Sequence, residues 1–251
     1  MLCSALAECI GTCGPALVEG RREAILGHVR AILEQRHECQ QTGGLEDFAD
    51  LETSEYEAVV ISNSVEVLSA MASAYGPSFA EEFGNFFPLI TKYYVSRYAL
   101  WPLLILPVLN LSQCLQSPER ATNERSMVVG TLGEIIVGLK GGITPFTQNI
   151  LALLSKALQD SEAEVRSNAA FAAGALIEWS DLDLSSHFSE LMQVLHGYFN
   201  VTAETPKDQL NAKDNAVGCV ARMIVKNPTA MPLDAVSVSS RWSIVQYCSA
   251  Y

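Results

Sequence analysis

The sequence predicts an all-α chain, an α-solenoid of antiparallel helix pairs stacked into a right-handed superhelix. Three observations carry that prediction. Apolar residues recur at helical spacing along most of the chain. Gly and Pro punctuate the stripes where helices should stop. One kind of helix, rich in small residues, returns at a near-constant interval.

The clearest pair runs from Ile150 to Ser180. Ile150, Leu151, Leu153, Leu154, Ala157 and Leu158 form one apolar stripe. Val165, Ala169, Ala172, Ala173 and Leu176 repeat it with smaller side chains, which let a neighbouring helix come close. Between them Asp160 and Ser161 precede Glu164, the S-x-x-E pattern of a capped N-terminus. Asp160-x5-Arg166, with Val165 before the arginine and Asn168-Ala169-Ala170 after it, resembles the HEAT repeat consensus.

The pattern recurs. Arg125, Arg166 and Lys213 fall in register, followed by Met127-Val128, Asn168-Ala169 and Asn215-Ala216. The intervals are 41 and 47 residues, inside the ~40–47 range of such units, and three units can bury a continuous core.

The remaining elements follow in order. Residues 2–13 read as a small-residue helix ending at Gly14-Pro15. It has the character of a second helix with no first helix before it. Solenoid ends need polar caps and this end shows none, so the chain reads as a fragment of something longer. Residues 19–41 carry Ile25, Leu26, Val29, Ile32 and Leu33 on one helical face. An acidic loop is expected at about 42–57, where Glu46, Asp47, Asp50, Glu52, Glu55 and Glu57 stand without one base. Residues 58–75 return to helical spacing and stop at Gly76-Pro77. That stop lies 62 residues after the first, one repeat lengthened by the acidic loop.

Residues 79–94 are an aromatic-rich first helix with Phe83, Phe86, Phe87 and Ile90 inward, and 123–140 the next second helix. Gly141-Gly142 gives a turn. Residues 185–199 and 210–226 supply one more first and second helix. The chain thus divides into repeats over 1–94, an atypical insert at 95–118, repeats over 119–233 and an atypical tail at 234–251. Insert and tail lack capping signals and periodicity. A retained intron and a frame change or mis-joined exon are one account of them, and lineage-specific insertions are the other.

The balance of 16 Lys+Arg against 28 Asp+Glu, formally −12, argues against direct nucleic-acid binding, which depends on cations meeting phosphates. It suits basic protein partners. Seven cysteines without a C-x-x-C pair, and no secretory leader, point to reduced, buried thiols. The longest apolar run, Tyr98 to Leu111, is broken by Pro102 and Pro107 and too short for membrane insertion.

No catalytic, cofactor-binding or metal site is expected. Cys9, Cys13, His37 and Cys39 supply zinc-type ligands, but no C-x-x-C pair accompanies them, so packing is the stronger reading. His28, His187 and His196 stand among helix-periodic residues with no nucleophile motif. Gly130-Thr131-Leu132-Gly133 lacks the Lys-Ser/Thr ending of a phosphate loop and reads as close helix approach. Asp160, Arg166, Asn168, Lys213, Asp214 and Asn215 read as a structural ladder that fixes the repeat pitch, and Trp179 as core. Glu46, Asp47, Asp50, Glu52, Glu55 and Glu57 read either as a solvated loop or as a patch for a basic segment.

Taken together, SALAECIGTCGPAL, the acidic loop opened by CQQ, FFPLITKYY, ERSMVVGTLGEII, EVRSNAAFAAGAL and KDNAVGCVARMIVKNP resemble the importin-beta (karyopherin-beta) family of nuclear transport receptors, importin-four type. The likeness covers about 1–94 and 119–233, and Lys213 to Ile224 is its most specific piece. The resemblance implies the carboxyl-terminal HEAT repeats of a non-enzymatic receptor without a cofactor, shuttling between cytoplasm and nucleus. It implies basic protein cargo such as ribosomal proteins and histones, nucleoporins as partners, and release by the Ran GTPase. Ran is met mainly through repeats outside this stretch, so no Ran-contact residue is assigned. A HEAT scaffold of another class, of phosphatase regulatory subunit type, and an inactive truncated fragment are the rival readings.

Overall fold

The computed structural model describes residues 2–40, 50–94, 121–202 and 204–232, with side chains from Tyr56 onward in the helix that opens at Asp50. Among these residues every regular element is helical. The α-helices are α1 Leu2–Cys13, α2 Arg22–Leu33, α3 Asp50–Tyr75 and α4 Ala80–Thr91. They continue with α5 Thr122–Leu139, α6 Thr147–Ala157, α7 Ala163–Trp179, α8 Phe188–His196 and α9 Lys207–Lys226. Residues 42–49, the insert at 95–118 and the tail at 234–251 lie outside the described residues.

Two boundaries differ from expectation. The helix expected over 19–41 closes at Leu33, because Gln35 turns left-handed at φ 58°. The Gln35 and Arg36 N–H groups then bond back to Ile32 and Ala31 carbonyls at 2.9 and 2.8 Å, the paired bonds of a Schellman stop. The acidic loop expected to 57 is helical from Asp50. Nothing between Gly44 and Gly76 is Gly or Pro, so no residue in that span opposes helix propagation.

The chain forms two compact units, one up to Thr131 and one from Leu132. In the first, α3 runs antiparallel to α2, since Arg22 at the start of α2 lies over the Tyr75 ring at the end of α3, 4.3 Å from its centroid. First helices then align with first helices. Arg22 pairs with Glu82, and Tyr93 Oη donates to the Leu33 carbonyl at 2.8 Å. These partners are 60 residues apart in both cases. A near-constant offset at both ends of α2 and α4 means that they run in parallel register, which is how consecutive repeats stack. Ile10, Val29, Leu33, Leu68, Met71, Phe83, Ile90 and Tyr93 are buried within this unit.

The second unit repeats the plan. Thr147 at the start of α6 and Ser180 after the end of α7 share a buried 2.8 Å hydroxyl–hydroxyl bond, so the two helices are antiparallel. α7 and α9 run parallel, with bonded partners 44 to 48 residues apart along their length. The α7 face is almost wholly small: Ala169, Ala170, Ala172, Ala173 and Ala175 are at most 1% exposed.

That lets α9 come to backbone distance. A Cβ on Gly174 would stand 3.0 Å from the Cys219 Cα, and one on Gly133 would stand 2.7 Å from the Phe171 ring. Close approach is therefore the role of Gly133. Each unit is an all-α stack of HEAT-type helix pairs. Two stretches, Tyr56–Thr91 and Thr122–Ala157, are long and apolar enough to cross a membrane. Both are interrupted by 3-10 segments, Gly76–Phe79 and Lys140–Phe146.

Candidate functional site

The hinge between α6 and α7 differs in detail from the expected capping box. The N-cap of α7 is Glu162, and no side chain caps it. The Ser161 hydroxyl instead donates to the Glu162 carboxylate at 3.4 Å, while Asp160 Oδ1 accepts the Glu162 N–H at 3.0 Å. That local turn competes with a helix cap for the same short polar side chains.

Arg166 turns back onto the hinge and donates to the Asp160 and Ser161 carbonyls at 2.7 and 2.6 Å. Its guanidinium lies 5.9 Å from the Tyr198 ring centroid, and the Tyr198 hydroxyl donates to the Leu158 carbonyl. Burial pushes the Tyr198 phenol up, partly opposed by Arg166. The hinge backbone is thus held from its own helix by Arg166 and from the next repeat by Tyr198.

The expected ladder is brought together only in part. Asn215 Nδ2 donates to the Ser167 carbonyl at 3.1 Å and to its hydroxyl at 3.0 Å, a true cross-repeat rung. Asn168 sits half-buried one position further on. Lys213 is half-buried and Asp214 exposed, and neither side chain makes a hydrogen bond or ion pair among the described residues. They lie one and two positions before the rung, turned by about 100° per residue from it.

Further rungs lie nearer the carboxyl end of the pair, where sequence reading did not place them. Arg222 Nε meets Glu178 at 2.7 Å. Lys226 Nζ donates to the Glu178 and Ser180 carbonyls at 3.1 and 2.9 Å. That satisfies the orphan carbonyls closing α7 and places a cation at the negative end of its dipole. The signal was present for one of them: Glu178 and Arg222 are opposite charges 44 residues apart, between the 41- and 47-residue intervals of the repeat. Trp179, expected in the core, is half-buried, with the Lys140 ammonium 5.6 Å from its ring centroid.

The acid-rich stretch divides. Asp50, Glu52, Glu55 and Glu57 occupy the first turns of α3, and Glu57 is half-buried; Glu46 and Asp47 lie outside the described residues. Between α2 and α4 the first unit also carries an open groove of about 690 Å³, where Leu26 and Phe86 stand among the charged and polar Arg22, Glu23, Arg30, Glu82 and Asn85. Arg30 lies 5.1 Å from the Phe86 ring centroid.

Cysteine placement corrects one expectation. Cys219 is buried, but Cys9, Cys13 and Cys39 are exposed and Cys3 is half-exposed. In α1 only Ile10 is buried, so the flank holding Cys9 and Cys13 faces outward. Among the described residues no three His, Cys, Asp or Glu side chains converge as a metal set.

Comparison with known proteins gives one consistent result. A "Probable importin subunit beta-4" of Schizosaccharomyces pombe is 37% identical over 187 residues, covering 74% of this chain and 15% of that protein. "Importin-4" of Homo sapiens is 30% identical over 231 residues, 91% of this chain and 19% of the relative. The chain belongs to the importin-beta family, importin-4 type. "Importin-4" of Mus musculus is 26% identical over 220 residues, 86% of the chain and 18% of that protein. The chain spans less than a fifth of the length of these curated relatives. No protein-family model matches it.

Proposed function

We propose that this importin segment contributes to nuclear import by binding basic protein cargo, ribosomal proteins and histones among them, through its acid-rich stretch. The observation that carries the reading is the run of Glu46, Asp47, Asp50, Glu52, Glu55 and Glu57 without one base. Four of those acids fall on the first turns of α3, a second helix of the stack. Several carboxylates on one short segment attract a Lys/Arg-rich chain at long range, and the attraction is screened by salt. The family reading adds passage through the nuclear pore with nucleoporins, shuttling between cytoplasm and nucleus, and cargo release by Ran bound largely by other repeats.

A histone-tail peptide titrated into the full chain tests the cargo reading. At about 50 mM salt the peptide should bind, and affinity should fall roughly tenfold or more by about 200 mM. Changing all six acids to their amides should remove most of that dependence. No binding at low salt, or an unchanged slope in the amide variant, would overturn it.

A further inference from the structure

The turn after α2 brings together three side chains that take no part in the repeat contacts. His37 Nδ1 lies 3.1 Å from Cys39 Sγ, and the Cys39 backbone N–H reaches the same Nδ1 at 3.3 Å. A backbone N–H only donates, so Nδ1 carries the lone pair and the ring proton sits on Nε2. Nε2 is 3.1 Å from His28 Nδ1, which therefore accepts, and the two rings meet edge to face with centroids 5.3 Å apart. The Cys39 thiol hydrogen and backbone N–H then share the one lone pair of His37 Nδ1, with the sulfur the nearer of the two.

The turn is held in that form by its neighbours. Gln40 Nε2 donates to the Ile32 carbonyl at 3.2 Å, and Gln40 Oε1 accepts the His37 N–H at 3.4 Å. Glu34 pairs with both Arg30 and Arg36, so the adjacent cations are already engaged. Cys39 itself is exposed. A nucleophile within reach of a base, with that base oriented by a third group, is the arrangement that activates a cysteine. Cys9 and Cys13 are also exposed, yet make no hydrogen bond through sulfur among the described residues.

We propose that Cys39 is a site of reversible thiol modification that takes small disulfides, with His37 as its base and His28 as the group that positions that base. The Cys39 proton passes to His37 Nδ1 and the thiolate attacks one sulfur of the disulfide R–S–S–R. A Cys39–S–S–R bond forms as the R–S–S–R bond breaks. The departing thiolate takes the proton from His37 and leaves as R–SH. One disulfide is consumed and one is formed, and a reducing thiol reverses the step.

Oxidised glutathione is the probe, added to the reduced full-length chain, with initial rates read thiol by thiol by peptide mass spectrometry. Cys39 should react about tenfold or more faster than Cys9 and Cys13. His37→Gln should bring Cys39 down to their rate, and His28→Gln should slow it less. The comparison of Cys39 with Cys9 and Cys13 within the unaltered chain stands even where a variant fails to fold. The proposal is overturned if Cys39 reacts no faster than those two thiols, or if a folded His37→Gln chain keeps the full rate.

Discussion

At the scale of single residues, Cys219 shows how packing sets chemistry. It lies beneath Gly174 at the closest point of α7 and α9, and burial pushes its thiol from an ordinary 9.0 up to about 12. Nearby Arg222 pulls the other way but does not win. Well below pH 9 the thiol is protonated in folded and unfolded chains alike. Between pH 9 and about 12 the unfolded chain releases a proton that the folded chain retains. Stability must therefore fall as pH rises through that window, by about one proton's worth of slope. Urea midpoints measured from pH 8 to 10.5 should decline less steeply in Cys219→Ala than in the parent chain. Equal slopes would show that Cys219 does not titrate with unfolding.

At the scale of elements, the contact between α7 and α9 joins a small-residue face to two kinds of polar rung. Asn215 Nδ2 donates to both the carbonyl and the hydroxyl of Ser167, and Ser167 is only 6% exposed. Asn215→Ala would leave a buried hydroxyl and a carbonyl without their donor, at a cost of about 1–3 kcal/mol. Glu178→Gln removes one partner of a part-exposed ion pair, 33% and 43% exposed, and should cost under about 1 kcal/mol. Denaturant titration of both variants checks the order, and a larger loss in Glu178→Gln would contradict it.

Much of this element was legible from sequence: the interval, the small residues and the position of Asn215 followed from periodicity. The rung at Lys226 did not, because its hydrogen-bond partners are backbone carbonyls, which leave no mark in residue type. The capping box failed for a similar reason. Asp160 and Ser161 satisfy neighbouring groups within their own turn, a competition that spacing alone cannot rank. The start of α3 inside the acidic run was hidden because charge suggested a loop where propensity allowed a helix.

At the scale of the whole molecule, repeat stacks behave as chains of local contacts, each pair answering mainly to its neighbours. Within the first unit the offset between stacked helices is about 60 residues, and within the second it is 44 to 48 along α7 and α9. The residues added between α2 and α3 lengthen the connection and leave the helix register intact, so the acid-rich run is carried without breaking the stack. A local packing defect should stay local on the same ground. Gly174→Val would drive a branched side chain against the Cys219 backbone and the Arg222 stem, where the nearest atoms stand 3.0 and 3.3 Å from a built Cβ. Backbone cannot swing aside as the Phe171 ring near Gly133 can, and the expected loss is about 1–3 kcal/mol. Amide hydrogen exchange on the full chain should show faster exchange across α6 to α9 and little change across α1 to α4. Acceleration of equal size in α1 to α4 would mean that the chain opens as one cooperative body, against the nearest-neighbour picture.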